Sequence, residues 1–332
     1  MRSLRSLSTR VGVRMQSTRV LITGAGGQIG CELVPYLRDR YGADNVVASD
    51  LRVPDNAEGT YEACDVTDAA RLAELAKEYR VTKILHLASL LSGVGEQQPQ
   101  LALKVGARGT ENVLELGREL GVQVFIPSSI AAFGPSTPRV MTPNETITRP
   151  TTVYGVTKVY AELLGEYYHR RFGVDFRSLR YPGIISTEAM PGGGTTDYAV
   201  EVFHEALLKG RYECYLEKDT EMPMMFMNDT IEGTVQFLEA DSGALGERRC
   251  YNVTGMSFTP QELFEALQER LPNFEYSYKP DFRQAIADTW PKSLDDSAAR
   301  EDWHYKPEYD VGKLCDAMLK RLRERYDGQC VM

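Results

Sequence analysis

The run Thr23-Gly24-Ala25-Gly26-Gly27-Gln28-Ile29-Gly30 limits what this 332-residue chain can fold into more than any other segment. It joins an apolar, β-branched stretch, Arg19-Val-Leu-Ile-Thr23, to Cys31-Glu-Leu-Val-Pro-Tyr-Leu37, which continues as a helix. A strand that turns at once into a helix through closely spaced glycines reads as the start of a parallel βαβ sheet. In that context Gly24 allows the tight turn, Gly27 lets the backbone approach a pyrophosphate, and Gly30 allows the helix to pack closely on the strand. The helix N-terminus then faces the phosphates, with Gln28 and Ile29 in the same cofactor-binding stretch. The spacing is Gly24-x-x-Gly27-x-x-Gly30 rather than Gly-x-Gly-x-x-Gly, although Gly26 also falls inside it.

Asp50 lies twenty positions past Gly30 and closes a second strand, Asn45-Val-Val-Ala-Ser-Asp50. A carboxylate there hydrogen-bonds an adenosine ribose and repels a 2′-phosphate. Two like charges about 4 Å apart at an effective dielectric of 20 cost roughly 4 kcal/mol, so NAD is favoured over NADP. Arg52 is the one nearby residue able to accept a 2′-phosphate. Cys64-Asp65-Val66 closes a third short strand. Asp65 is placed either to meet the adenine amino group or to serve as a loop carboxylate, and Asp68 is the better cap for the following helix. Lys83-Ile-Leu-His86-Leu87-Ala88-Ser89 is a buried parallel strand running into small residues under the cofactor, with His86 read as packing rather than catalysis. Val122 to Ser129 supplies the next strand and ends in two hydroxyls, where ligands of open parallel sheets bind.

Tyr154 and Lys158 stand four residues apart, on one face of a helix. A free phenol loses its proton near pH 10 and is a poor base at neutral pH. A neighbouring cation favours the phenolate, and bringing it to neutral pH needs about 4 kcal/mol, within reach of a partly desolvated ammonium. Such a tyrosine beside a nicotinamide is suited to take the proton of an alcohol while hydride leaves the same carbon.

Together these residues resemble the extended short-chain dehydrogenase/reductase superfamily. Ser129-Ile-Ala-Ala-Phe-Gly134 is similar to its serine segment, and Ser129 precedes Tyr154 by the group's usual 25 residues. The resemblance implies that Ser129, not Ser128, orients the reacting oxygen, and that Tyr181, Pro182 and Ile184 pass the nicotinamide. A narrower likeness runs through nearly all of the chain after residue 17. Leu90 to Glu96, Arg180 to Ser186, Pro191 to Ala199, Met222 to Met225, Met256 to Pro260 and Arg283 to Pro291 resemble the short-chain family of L-threonine 3-dehydrogenases. That likeness implies a catalytic set of Ser129, Tyr154 and Lys158, and NAD held by Gly24, Gly27, Gln28, Ile29, Gly30, Asp50, Asp65, Val66, Leu87, Ala88, Ser89, Tyr154, Lys158, Tyr181, Pro182 and Ile184. It places L-threonine against Ser92, Ser129, Tyr154, Gly193, Thr195 and Trp290, with Trp290 either over the substrate or anchoring the core. The hydroxyls and backbone N–H groups of the Gly192–Thr196 loop are then available to the substrate's charged ends. The implied product is 2-amino-3-oxobutanoate, cleaved with coenzyme A by a partner 2-amino-3-ketobutyrate ligase or decarboxylated to aminoacetone. A sugar-nucleotide epimerase or dehydratase would share every cofactor and triad residue and differ only in its C-terminal lobe.

Strands and helices alternate to about residue 182, giving an α/β fold: a doubly wound parallel sheet over 18–182 and a smaller α/β substrate lobe over 183–330. The strand near Met224 is expected to return to the main sheet, together with the segment to residue 240. Asp229 reads as the N-cap of the helix after it. The helix bearing Tyr160, Leu163, Leu164, Tyr167 and Tyr168 has enough apolar surface to pair with a second subunit, and the resemblance implies a homodimer. A net charge of −9 gives no basic footprint for nucleic acid, and no apolar run is long enough for a membrane span. Six cysteines without Cys-x-x-Cys spacing read as free thiols, and four scattered histidines give no zinc cluster. The first 19 residues hold five arginines and no acid, which resembles a mitochondrial transit peptide and points to the matrix, with residues 1–17 as the leader.

Overall fold

The computed structural model describes residues 18–245, 249–327 and 330, so the arginine-rich leader lies outside the described residues. Strand β1 (Val20–Thr23) is buried along its whole length, as expected of a parallel strand covered on both faces. Helix α1 (Gly30–Tyr41), β2 (Val46–Asp50) and β3 (Tyr61–Ala63) follow, and residues 64–66, expected to close the third strand, lie beyond its end. Helix α2 (Ala69–Glu78) starts at Asp68, whose side chain accepts the Arg71 N–H, as the sequence indicates. Next come β4 (Lys83–His86), α3 (Ser92–Gln97), α4 (Pro99–Leu103), a π-helical turn at Lys104–Arg108, α5 (Gly109–Leu120), β5 (Gln123–Phe125) and the two-residue β6 (Ser128–Ser129). A loop then leads to α6 (Val153–Phe172) and β7 (Phe176–Tyr181).

The main sheet is wholly parallel. Its order is β3-β2-β1-β4-β5-β7, with β6 also paired to β7. The order reverses between β1 and β4, and a ligand crevice belongs outside the strand ends at that point. One apolar cluster, with Leu33, Leu37, Val235 and Phe237, covers one face of the sheet; another, with Leu72, Leu75, Val113 and Leu114, covers the other.

After β8 (Gly183–Ile185) the chain builds α7 (Tyr198–Lys209), β9 (Arg211–Cys214), β10 (Met222–Phe226), α8 (Met227–Glu239), β11 (Cys250–Asn252), β12 (Met256–Phe258), α9 (Pro260–Gln268), β13 (Glu275–Tyr278), α10 (Phe282–Ala287), α11 (Ser297–Trp303) and α12 (Val311–Arg325). The expectation for Met224 is corrected here. β10 lies between β8 and β12 in a separate three-stranded sheet, and β11 is the strand that joins the main sheet, beside β7. Helix α8 does pack on α1 and β7, so residues past 183 contribute to both layers. Asp229 is not an N-cap. Helix α8 begins one residue after Phe226 without a side-chain cap, and the Asp229 carboxylate accepts the N–H groups of Glu308 and Tyr309 at 2.9 and 3.1 Å. The third core cluster, around Tyr198, Phe203, Phe264 and Met318, holds the lobe together.

Helix α6 lies against β7 with no space to spare. A Cβ on Gly165 would stand 2.3 Å from the Phe176 ring. Gly165→Ala should therefore lower stability by roughly 1–3 kcal/mol despite its better helix propensity, read as a reduced urea midpoint at unchanged slope.

Candidate active site

The cleft opens at the β1/β4 reversal. Gly24 takes φ +71°, and a Cβ there would lie 2.5 Å from the Ala88 amide nitrogen. A Cβ on Gly30 would lie 2.5 Å from the Ala25 carbonyl oxygen, so the helix start sits directly on the turn. A Cβ on Gly27 would meet only the Gly24 oxygen, at 3.2 Å, and Gly27 faces the cleft. Helix α1 has no side-chain cap; the Gly27 and Ile29 carbonyls accept the N–H groups of Cys31, Glu32 and Leu33, and the positive end of the helix points along the glycine turn. The Asp50 carboxylate is held by the N–H groups of Gly26 at 3.0 Å and Leu51 at 2.7 Å, which fixes it beside the turn. An open glycine cradle, an uncapped helix start and a fixed carboxylate fit a dinucleotide.

The cleft has a volume of about 250 Å³. Gly24, Gly27, Gln28, Ile29, Gly30, Leu87, Ser89, Ser92, Ser129, Tyr154, Lys158, Tyr181, Pro182, Ile184, Thr195 and Trp290 all line it. Gln28 closes one side by donating to the Ile184 carbonyl at 3.2 Å. Five expected residues do not line it. Asp50 stands beside the turn, and Ala88 backs Gly24. Asp65 turns its carboxylate onto the Thr67 N–H and hydroxyl, both at 2.8 Å. Val66 is buried against Gly109 and gives its carbonyl to Asn112. Gly193, at φ +91°, shapes its loop while its neighbour Gly194 reaches the cleft.

The start of α6 is pinned twice. The Thr152 hydroxyl accepts the Gly155 N–H at 3.1 Å, and Glu96 of α3 accepts the Val153 N–H at 2.7 Å. Tyr154 in this first turn is partly buried, and loss of water raises its pKa, an effect partly offset by the Ser129 hydroxyl. The Lys158 ammonium lies 5.3 Å from the Tyr154 ring centre and donates to the Pro127 carbonyl at 2.8 Å. Its own burial pushes it down to about 8, with Glu162 acting in the opposite direction. The expected drop in the phenol's pKa is therefore not what dominates here. Both groups lose water, and desolvation works against the charged form of each. His86 bonds to the Thr23 hydroxyl at 2.8 Å, and burial followed by Lys158 pushes it down to about 3, so it stays neutral.

Two further groups carry no local sequence signal. Asp197, at the start of α7, accepts the N–H groups of Gly192, Gly193 and Gly194 through one oxygen at 2.8, 2.9 and 2.8 Å. Those amides are thus taken, and the loop offers the cleft Thr195, Thr196 and Gly194 instead of a row of donors. Glu162 and Arg180 form a buried pair behind Lys158. Among the described residues, Lys158 is the sole cation lining the cleft, and no group of three or more His, Cys, Asp or Glu side chains is arranged to hold a metal.

Residues 20–253 match the NAD dependent epimerase/dehydratase family. The chain belongs to that family. NAD dependence and the extended short-chain architecture follow from the membership, and the fold matches expectation. The chain is 48% identical over 305 residues to the mitochondrial L-threonine 3-dehydrogenase of Bos taurus, spanning 91% of this chain and 82% of that one. It superposes on L-threonine dehydrogenase from Phytophthora infestans with a TM-score of 0.91 at 52% identity, over 93% of this chain and 100% of that one. For the enzyme from Clostridium difficile the TM-score is 0.92 at 47% identity, over 94% and 99%.

The glycines of this family member should separate by experiment. Gly27→Ala should weaken NAD binding by roughly tenfold or more at an unchanged melting temperature. Gly30→Ala, which drives a methyl into backbone, should lower the melting temperature as well. Calorimetric titration with NAD and thermal unfolding read the two effects.

Proposed function

We propose that this chain oxidises the β-hydroxyl of L-threonine to 2-amino-3-oxobutanoate with NAD. The observation that carries the reading is the meeting of Ser129, Tyr154 and Lys158 on one wall of the cleft that the glycine turn opens. The nature of the relatives supports threonine as substrate. NAD, when bound, accepts the hydride that leaves Cβ. Ser129 and Tyr154 bracket the hydroxyl, and Tyr154 takes its proton. Lys158 would hold the nicotinamide ribose and sets its positive charge beside the phenol. The substrate's small amino-acid end lies toward Ser92, Thr195 and Trp290. A sugar nucleotide is disfavoured because its diphosphate would find no cation besides Lys158 among the described residues of the cleft.

The product is a β-keto acid suited to cleavage by a coenzyme A-dependent ligase. The arginine-rich leader and the mitochondrial bovine relative support a mitochondrial, matrix location. A homodimer through α4 and α6 is supported by exposed Leu101, Val156, Leu163 and Tyr167. Tyr160 and Tyr168 serve differently, donating to Glu111 and Glu115 of α5, and Leu164 packs against the inner core.

Tyr154→Phe should reduce NADH formation from L-threonine by at least about a thousandfold, within the range of general-base and nucleophile losses, with NAD affinity retained. Turnover within tenfold of the native rate would reject the role given to Tyr154. Leu163→Arg should halve the mass seen in sedimentation, and an unchanged mass would reject this dimer face.

A further inference from the structure

Glu162 lies one helical turn beyond Lys158 and is buried, with 4% of its surface exposed. Its carboxylate makes three contacts on two different strands. Arg180 of β7 donates from Nε at 2.9 Å and from Nη2 at 2.7 Å, and Ser128 of β6 donates its hydroxyl. Each partner adjoins the site. Ser128 precedes Ser129, and Arg180 precedes Tyr181 and Pro182, which line the cleft. Arg180 also donates to the Asn144 carbonyl at 2.7 Å, while Asn252 of β11 donates its N–H to Asn144 Oδ1 at 2.7 Å. One carboxylate thus ties the catalytic helix to the serine strand and to the strand that leads into the cleft's far wall.

We infer that Glu162 is a positioning residue for the alcohol-oxidising centre, locking Ser128 and Arg180 to the helix of Tyr154 and Lys158 and countering the Lys158 charge. The inference rests on the function proposed above and adds a residue that touches neither substrate nor cofactor.

The charged and titratable groups around Lys158 support a specific part for this carboxylate. Tyr154 and Glu162 face it from its own helix, neutral His86 from β4, and Arg180 of β7 through Glu162. Cys250 of β11, together with Glu145 and Glu166, lies farther out around Arg180 and Glu162. Of these, Glu162 is the group whose charge opposes the effect of burial on Lys158. A Lys whose pKa is lowered by folding carries charge below that pKa and loses it as pH rises through it, near about 8 in this chain. Without the carboxylate the charge should be lost at a lower pH.

The competing view is an ordinary buried ion pair, whose loss only destabilises the chain. The full chain with ¹³C-labelled lysines separates the two, the Lys158 signal being assigned by its absence in Lys158→Met. In Glu162→Gln the Lys158 titration should move down by one pH unit or more, and kcat for L-threonine should fall at least tenfold with KM changed less than threefold. In Glu162→Gln/Arg180→Gln, which leaves no unpaired buried guanidinium, melting temperature should recover while the titration stays lowered. The double variant carries the same test should the single one fail to fold. An unmoved titration in Glu162→Gln, or a native titration in the double variant, would overturn the inference. Absence of threonine turnover by the native chain would reject the function proposed above, and the Lys158 titration would still decide the part played by Glu162.

Discussion

No side chain fits between the turn after β1 and the end of β4, and the rest of the site depends on that contact. Gly24 lies so close to the Ala88 backbone that a methyl group would overlap it, and Gly30 rests equally close on Ala25. These approaches bring the start of α1 to the place where the strand order reverses. The helix N–H groups, the ends of β4 and β6, and the first turn of α6 then share one cleft. Thicker packing at Gly24 would separate the dinucleotide cradle from the hydroxyl-bearing wall.

Within that cleft, burial and charge oppose each other. A dry site strengthens every electrostatic interaction, which benefits proton transfer, but it also disfavours each charged form. Tyr154 is raised and Lys158 is lowered for this one reason. The chain answers with local partners, the Ser129 hydroxyl for the phenol and the Glu162 carboxylate for the ammonium. The position of Glu162, a turn along the same helix face, gives it a part in geometry and in charge together.

Several elements are legible directly in the sequence. The continuous apolar run of β1 and the cap of α2 at Asp68 appear where the pattern places them. The glycines act as their spacing indicates, because a turn needing positive φ or a sub-van-der-Waals approach admits little else. Other elements are not legible. Met222–Phe226 and Cys250–Asn252 are both short apolar runs, and nothing local says which one pairs with β7. Asp229 has the look of a helix cap, yet its partners lie about eighty residues away, at Glu308 and Tyr309. Asp197 stands at the start of α7 and gathers the glycine loop before it.

By itself the sequence determined the cofactor turn, the parallel strand–helix alternation and the pairing of Tyr154 with Lys158 on one helix face. These follow from φ restrictions and from helical periodicity, which are properties of a few neighbouring residues. Only the tertiary structure decided which polar groups meet: Glu162 with Arg180, Asp229 with the C-terminal segment. It also decided that burial raises the phenol and lowers the ammonium. The reason is that burial and the identity of a charged group's partner depend on segments remote along the chain, and only folding brings those together.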